Sequence, residues 1–286
     1  MLTSKFLIGK TCVILRASSL DGEAAPPHLN GLKIPPGWSN VQVETDPESP
    51  ILATGFDRAG RQQYRYKPDF LAKNQDEKFA NVRDLLAEWE DIRTQIERDV
   101  VNMSYGTREQ QQAAIIALLI YETGIRPGSI KDTKAKVKAY GATTLLNRHI
   151  VSDGLSISLV FVGKKGVSQN VSVTNFWLRS MFQTAVTNGH PKQDRIFDCR
   201  ESVLRKYFAT LGSGKYTPKD FRTCRATSLA IELIGKQALP TDQKERKKTV
   251  KEITSKVASK LGNTAAVANK SYIDPAVGIG AKKKKA

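Results

Sequence analysis

"NQDEKFANVRDLLAEWEDIRTQIERDV", Asn74 to Val100, is where the chain changes character. Its apolar residues Phe79, Val82, Leu85, Leu86, Trp89 and Ile92 recur at the helical period as one stripe, with charge on the other face. The chain before it has no such period. Turn formers punctuate it in "GEAAPPHLNG", "IPPGWSN" and "DPESP", with short extended candidates such as "VQVET" and "ILATGFD" between them. Short strands separated by Pro/Gly turns predict a small β-rich domain over 1–75, with the boundary near residue 75. A mainly helical domain is predicted over 76–279, so the fold class is α+β.

Toward the C-terminus, "TREQQQAAIIALLIYETG" (107–124) is apolar nearly all round, which predicts a buried helix that Gly124 can end in a left-handed cap. "LSISLVFVGKKGVSQNVSV" (155–173) holds two alternating runs around "GKKG" and predicts a β-hairpin with glycine at both corners. In "TPKDFRTCRATSLAIELIG" (217–235) Thr217 suits the N-cap, Pro218 the first helical position and Asp220 the third, an acidic variant of the capping box. "TDQKERKKTVKEITSKVASKLG" (241–262) predicts a very basic helix closed by Gly262. The lysines at 282–285, within 280–286, read as a disordered basic tail with non-specific affinity for phosphate.

Charge narrows the function. The 286 residues carry 45 Lys/Arg against 28 Asp/Glu, a net of +17, and this implies a polyanionic partner. The first 74 residues contribute little, with nine basic and seven acidic side chains, so the main electrostatic surface belongs to the C-terminal portion. A membrane surface is the competing polyanion, but no basic amphipathic helix with bulky apolar anchors stands out, which favours nucleic acid. No apolar run reaches the roughly 18–20 residues that spanning a bilayer needs. The start of the chain, "MLTSKFLIGKTCVILRASS", is too weak for a signal peptide. Three scattered cysteines, Cys12, Cys199 and Cys224, suit a reducing compartment. The expected location is cytoplasmic, or nucleoid-associated in a bacterial host.

Cutting a phosphodiester without a metal requires a nucleophile, cations on the non-bridging oxygens and an acid for the departing sugar oxygen. Arginine suits the second task because its planar fork stays charged and binds two oxygens together. Lysine suits the third where a partly desolvated site lowers its pKa. The candidates, in chain order, are Arg126 in "ETGIRPGS", Lys164 at the hairpin tip in "FVGKKGV", Arg222 in "KDFRTC", Asn263 in "LGNTAAV" and Tyr272 in "KSYIDPAV". Each alone has an ordinary reading. Arg126 could be a surface arginine, Lys164 a solvated turn lysine and Arg222 the partner of Asp220. Asn263 could be a left-handed helix-end residue and Tyr272 a packing residue.

Together, their order and spacing resemble the type IB DNA topoisomerases, especially the small poxviral and bacterial forms, from about residue 40 to 279. In that family a first arginine closes a T-G-x-R-x-G-type segment, a general-acid lysine follows "FVGK", a second arginine lies in a "KDxRT" helix, and the nucleophilic tyrosine comes last. The resemblance therefore implies roles for Arg126, Lys164 (with Lys165 as fallback), Arg222 and Tyr272. Asn263 stands where poxviral and nuclear relatives have histidine, and the "LGNTAAV" context resembles the bacterial branch. "GRQQYRY" (60–66) resembles the family's segment on a β-domain that clasps DNA. It implies DNA contacts by Arg61, Gln63, Tyr64 and Tyr66, to which Lys165, Lys219 and Lys270 are added around the catalytic motifs. Strand alternation would point Arg61, Gln63 and Arg65 one way and Gln62, Tyr64 and Tyr66 the other.

The family's chemistry implies relaxation of supercoiled double-stranded DNA through a 3′-phosphotyrosyl intermediate, by a monomer with no ATP, metal or other cofactor. The sequence is in keeping with this. "GKKG" lacks phosphate-loop spacing, and the three histidines, His28, His149 and His190, are dispersed. Tyrosine recombinases share related chemistry, but they generally carry a His-x-x-Arg box where this chain has Lys219 and Arg222, and a helical N-terminal domain. A non-catalytic nucleic-acid-binding protein is the third reading, since charge alone would serve it.

Overall fold

The computed structural model describes residues 27–29, 31–102, 106–129, 137–236 and 239–279. Cys12, the start of the chain and the lysines at 282–285 lie outside them. The chain divides into two compact units, Met1–Glu77 and Lys78–Ala286.

In the N-terminal unit, β1 (Ser39–Val43), β2 (Ile51–Phe56) and β3 (Gln62–Tyr66) form an antiparallel sheet in the order β1-β2-β3. Leu29, Leu32, Ile34, Val41, Leu52 and Ala53 make its small core, with Trp38 and Val43 packed against it. The helix α1 (Pro68–Ala87) starts in this unit and ends in the next. It begins well before the apolar stripe because Pro68 occupies its first position, where the proline ring presets φ and the missing N–H has no helical acceptor to lose.

The C-terminal unit is mainly helical. After α1 come α2 (Trp89–Val101) and α3 (Arg108–Thr123), then a second antiparallel sheet of β4 (Ile150–Ser152), β5 (Ile157–Val162) and β6 (Ser168–Val173). It continues with α4 (Phe176–Thr187), α5 (Glu201–Phe208), α6 (Pro218–Lys236), α7 (Gln243–Leu261) and α8 (Ala265–Ser271). The stripe that reads as a single helix is broken at Glu88, between α1 and α2. The cause is distant in sequence: the Glu88 carboxylate accepts from Ser213 N at 2.7 Å and from the Tyr216 hydroxyl at 2.6 Å. Next to it, Trp89 stacks on Tyr121 with 4.0 Å between ring centroids.

The central helix α3 has a complete capping box. Gln110 N donates to Thr107 Oγ1, and Thr107 N donates to Gln110 Oε1 at 2.8 Å. Every residue from Ile116 to Tyr121 is buried, as the all-round apolar pattern predicts, and Gly124 closes the helix at φ 65°. The 155–173 segment forms the hairpin β5–β6, with a 3₁₀ turn over Lys164–Gly166 at its tip, and β4 adds a third strand. Thr217 and Asp220 meet at the start of α6, though the hydroxyl donates to the carboxylate at 2.7 Å and so shares it with Thr217 N. A second core of Ala226, Ala230, Ile253, Val257, Leu261, Ile273 and Ile279 joins α6 and α7 to the last segment of the chain.

Candidate active site

Four elements end at one place. Gly124 turns the chain out of α3, so Arg126 follows the buried helix directly and its backbone is fixed on both sides. Its carbonyl accepts from Ala142 N at 2.8 Å, and Pro127 O accepts from Thr143 N at 2.8 Å. Gly141 is needed for this, since a Cβ there would lie 2.5 Å from Arg126 O. Arg222 rises from the second turn of α6 and is 3% exposed. Its Nη1 donates to Gly124 O and its Nη2 to Leu261 O, the latter at 2.6 Å, so the guanidinium ties the end of α3 to the end of α7.

Gly262 ends α7 in the left-handed conformation at φ 57°, leaving Asn263 free of that strain. The Asn263 side chain turns inward, and its Oδ1 accepts from Arg126 Nη2 at 2.6 Å. Tyr272 caps the C-terminus of α8, and its N–H donates to Ala268 O. The Arg222 guanidinium carbon lies 5.1 Å from the centroid of its ring.

The electrostatics are those of an anion site. Among the described residues neither Arg126 nor Arg222 has a carboxylate within ion-pair distance, although most other arginines that are tied down have one. Arg222 Nε and Asn263 Nδ2 are buried donors with no partner. Such groups cost free energy unless something fills them. Burial and the Arg126 charge push the Arg222 guanidinium down to about 10. Burial pushes the Tyr272 phenol up, but the charges of Arg222 and Arg126 outweigh it. The phenol therefore ionises below its ordinary value of 10.0.

Lys164 is not gathered with these four. It stands exposed on the hairpin turn and, among the described residues, forms no hydrogen bond or ion pair. Lys165 beside it holds φ 66°, a left-handed value unusual for a residue with a Cβ. The hairpin is nevertheless anchored to the site through Gln169, which is 8% exposed. Its side chain packs under Gly163, and its amide occupies the place a Cβ on Gly262 would take, one residue from Asn263. Lys219 and Lys270 are exposed, near the start of α6 and at the end of α8.

The remaining expected DNA contacts belong to the N-terminal sheet. Tyr64 and Tyr66 stack on one face of β3, 5.8 Å apart, and Tyr64 stays 42% exposed. Arg61 and Gln63 both bond the Asp57 carboxylate, and the Arg61 contact holds that acid below its usual range. Arg65 lies over the Trp38 ring at 5.8 Å.

The side chains of Thr227 and Asp274 are among those that escaped the sequence reading. The Thr227 hydroxyl donates to Tyr272 O at 3.1 Å and accepts from Asp274 N at 3.2 Å, so it holds the backbone on both sides of Ile273. The Asp274 carboxylate accepts from Ala276 N at 2.9 Å and caps the 3₁₀ turn Pro275–Val277. The Asp-Pro pair in "SYIDPAV" is the signal that could have located this second cap.

Residues 67–284 match the family described as eukaryotic DNA topoisomerase I, catalytic core. Over 265 residues the chain is 30% identical to the DNA topoisomerase 1B of Acanthamoeba polyphaga mimivirus, an alignment covering 86% of this chain and 76% of that protein.

Proposed function

This chain belongs to the type IB DNA topoisomerases, enzymes that relax DNA by single-strand cleavage, and from that premise we propose how its own residues do so. Tyr272 attacks a backbone phosphorus. The bond from its phenol oxygen to phosphorus forms, the bond to the 5′ oxygen breaks, and the phenol proton passes to solvent. The product is a 3′-phosphotyrosine and a 5′ hydroxyl. Arg126 and Arg222 neutralise the non-bridging oxygens as their charge grows, and Asn263 Nδ2 donates to one of them. Lys164 on the hairpin delivers a proton to the 5′ oxygen as it leaves.

Rotation of the downstream duplex then releases supercoils, and the 5′ hydroxyl reverses the attack. The covalent bond stores what the phosphodiester held, so no nucleotide is consumed. Arg61, Gln63, Tyr64 and Tyr66 on β3, and Lys165, Lys219 and Lys270 in the C-terminal unit, contact the duplex. The enzyme works as a monomer. Among the described residues no helix is long and apolar enough to cross a membrane.

One observation supports this reading above the others. Two arginines without carboxylate partners flank a phenol whose pKa they lower, beside two buried donors that lack acceptors. The test is supercoiled plasmid with the protein in EDTA and no nucleotide. Relaxation through a ladder of topoisomers is expected, with loss of both relaxation and covalent adduct in Tyr272→Phe. Adduct persisting in that variant would place the nucleophile elsewhere.

A further inference from the structure

The segment that carries Tyr272 is held from behind by α1, a helix with no part in the chemistry. Lys78 Nζ donates to the carbonyl of Ser271, the residue just before the tyrosine. Five residues along α1, Arg83 Nη1 bonds Asp274 Oδ2 at 2.8 Å, two residues after it. The Asp274 side chain is 3% exposed, so this carboxylate depends on Arg83 for charge compensation.

Ile273, between the two ties, is buried in the second core, while the side of the segment next to α1 is open. An open cavity of about 370 Å³ lies behind it, lined by Arg83, Leu86, Thr227, Ile231, Asp274 and Val277. On that side the backbone around Tyr272 is held by polar ties: Lys78 before it, Thr227 at its own carbonyl and Arg83 after it.

Resting on the reading of Tyr272 as nucleophile, we propose that Lys78 and Arg83 are positioning residues that set the angle at which the phenol meets phosphorus. Both cations already have partners within the protein, so their task is aim rather than capture of DNA. Burial, and Lys219 nearby, lower the Lys78 pKa, as expected of an amine turned inward. In-line displacement needs close orientation, and a misplacement near one ångström can cost about a hundredfold in rate.

The test is single-turnover adduct formation at saturating duplex. Lys78→Met and Arg83→Met keep the stems and remove the ties. Both should bind duplex like the wild type and form adduct on the order of ten- to a hundredfold more slowly. Lys78→Arg and Arg83→Lys should recover most of the rate. A 5′-bridging phosphorothiolate, whose sulfur leaves without a proton, should not rescue either methionine variant.

Because Arg83→Met strands a buried charge, the double variant Arg83→Met with Asp274→Asn keeps the idea testable if the single variant unfolds. It should melt cooperatively and still cleave slowly. Wild-type rates in the methionine or double variants, losses confined to affinity, or rescue by the sulfur leaving group would each overturn the proposal. A wild-type protein that forms no adduct at Tyr272 would remove its premise as well, and that result is distinct from an intact adduct formed at unchanged rate.

Discussion

The Tyr272 phenol sits between opposing influences, and the balance makes its pH dependence testable. Burial favours the neutral phenol, while Arg222 and Arg126 favour the anion and prevail. Attack uses the anion, so cleavage should rise with pH toward the lowered phenol pKa, the rise lying below the ordinary phenol value. Arg126→Gln removes one downward influence and leaves burial in place. Its profile should shift to higher pH, as read by cleavage rates at subsaturating DNA, which report the free enzyme. A profile that stays in place would mean that Arg126 does not ionise the phenol. The arginines and Asn263 should also differ in weight, because a neutral amide bond is weaker than a charge-assisted one. Asn263→Ala should slow cleavage about tenfold, and either arginine→Ala by about a hundredfold or more, in the same single-turnover assay.

Among the elements, α3 and the hairpin carry separable predictions. Thr107→Ala removes one half of a capping box far from the phenol and should cost about 1 kcal/mol. Thermal melting should show a drop of about 2–4 °C, with cleavage at saturating DNA unchanged. Gln169→Ala should do the reverse. It loosens the base of the hairpin against Gly262, so cleavage should fall while stability changes little. A phosphorothiolate substrate should restore part of the rate if the hairpin's task is to present Lys164. The elements themselves were largely legible from the sequence, because their boundary signals are local: Gly124 and Gly262 end helices, and Thr217 starts one. The break at Glu88 was not, since its cause lies 125 residues away at Ser213. The site divides the same way. Arg126, Arg222, Asn263 and Tyr272 could be picked out because their motifs resemble those of the family. Lys78, Arg83 and Thr227 act through backbone atoms or a distant carboxylate, and no spacing encodes that.

The whole molecule is cationic, and its site is built for an anion before any arrives. Inorganic oxyanions of phosphate's shape should therefore bind the free protein and raise its melting temperature. At a hundred times the dissociation constant the gain is about 2.7 kcal/mol, or about 5–10 °C for a unit of this size. Orthovanadate titrated against wild type and Arg126→Gln checks this, and an equal rise in both would locate the binding elsewhere. The two orphaned donors, Arg222 Nε and Asn263 Nδ2, carry the same logic to the native substrate. Left dry, each burdens the empty fold by about 1–3 kcal/mol. Bound duplex should therefore make the protein more resistant to heat and to proteolysis.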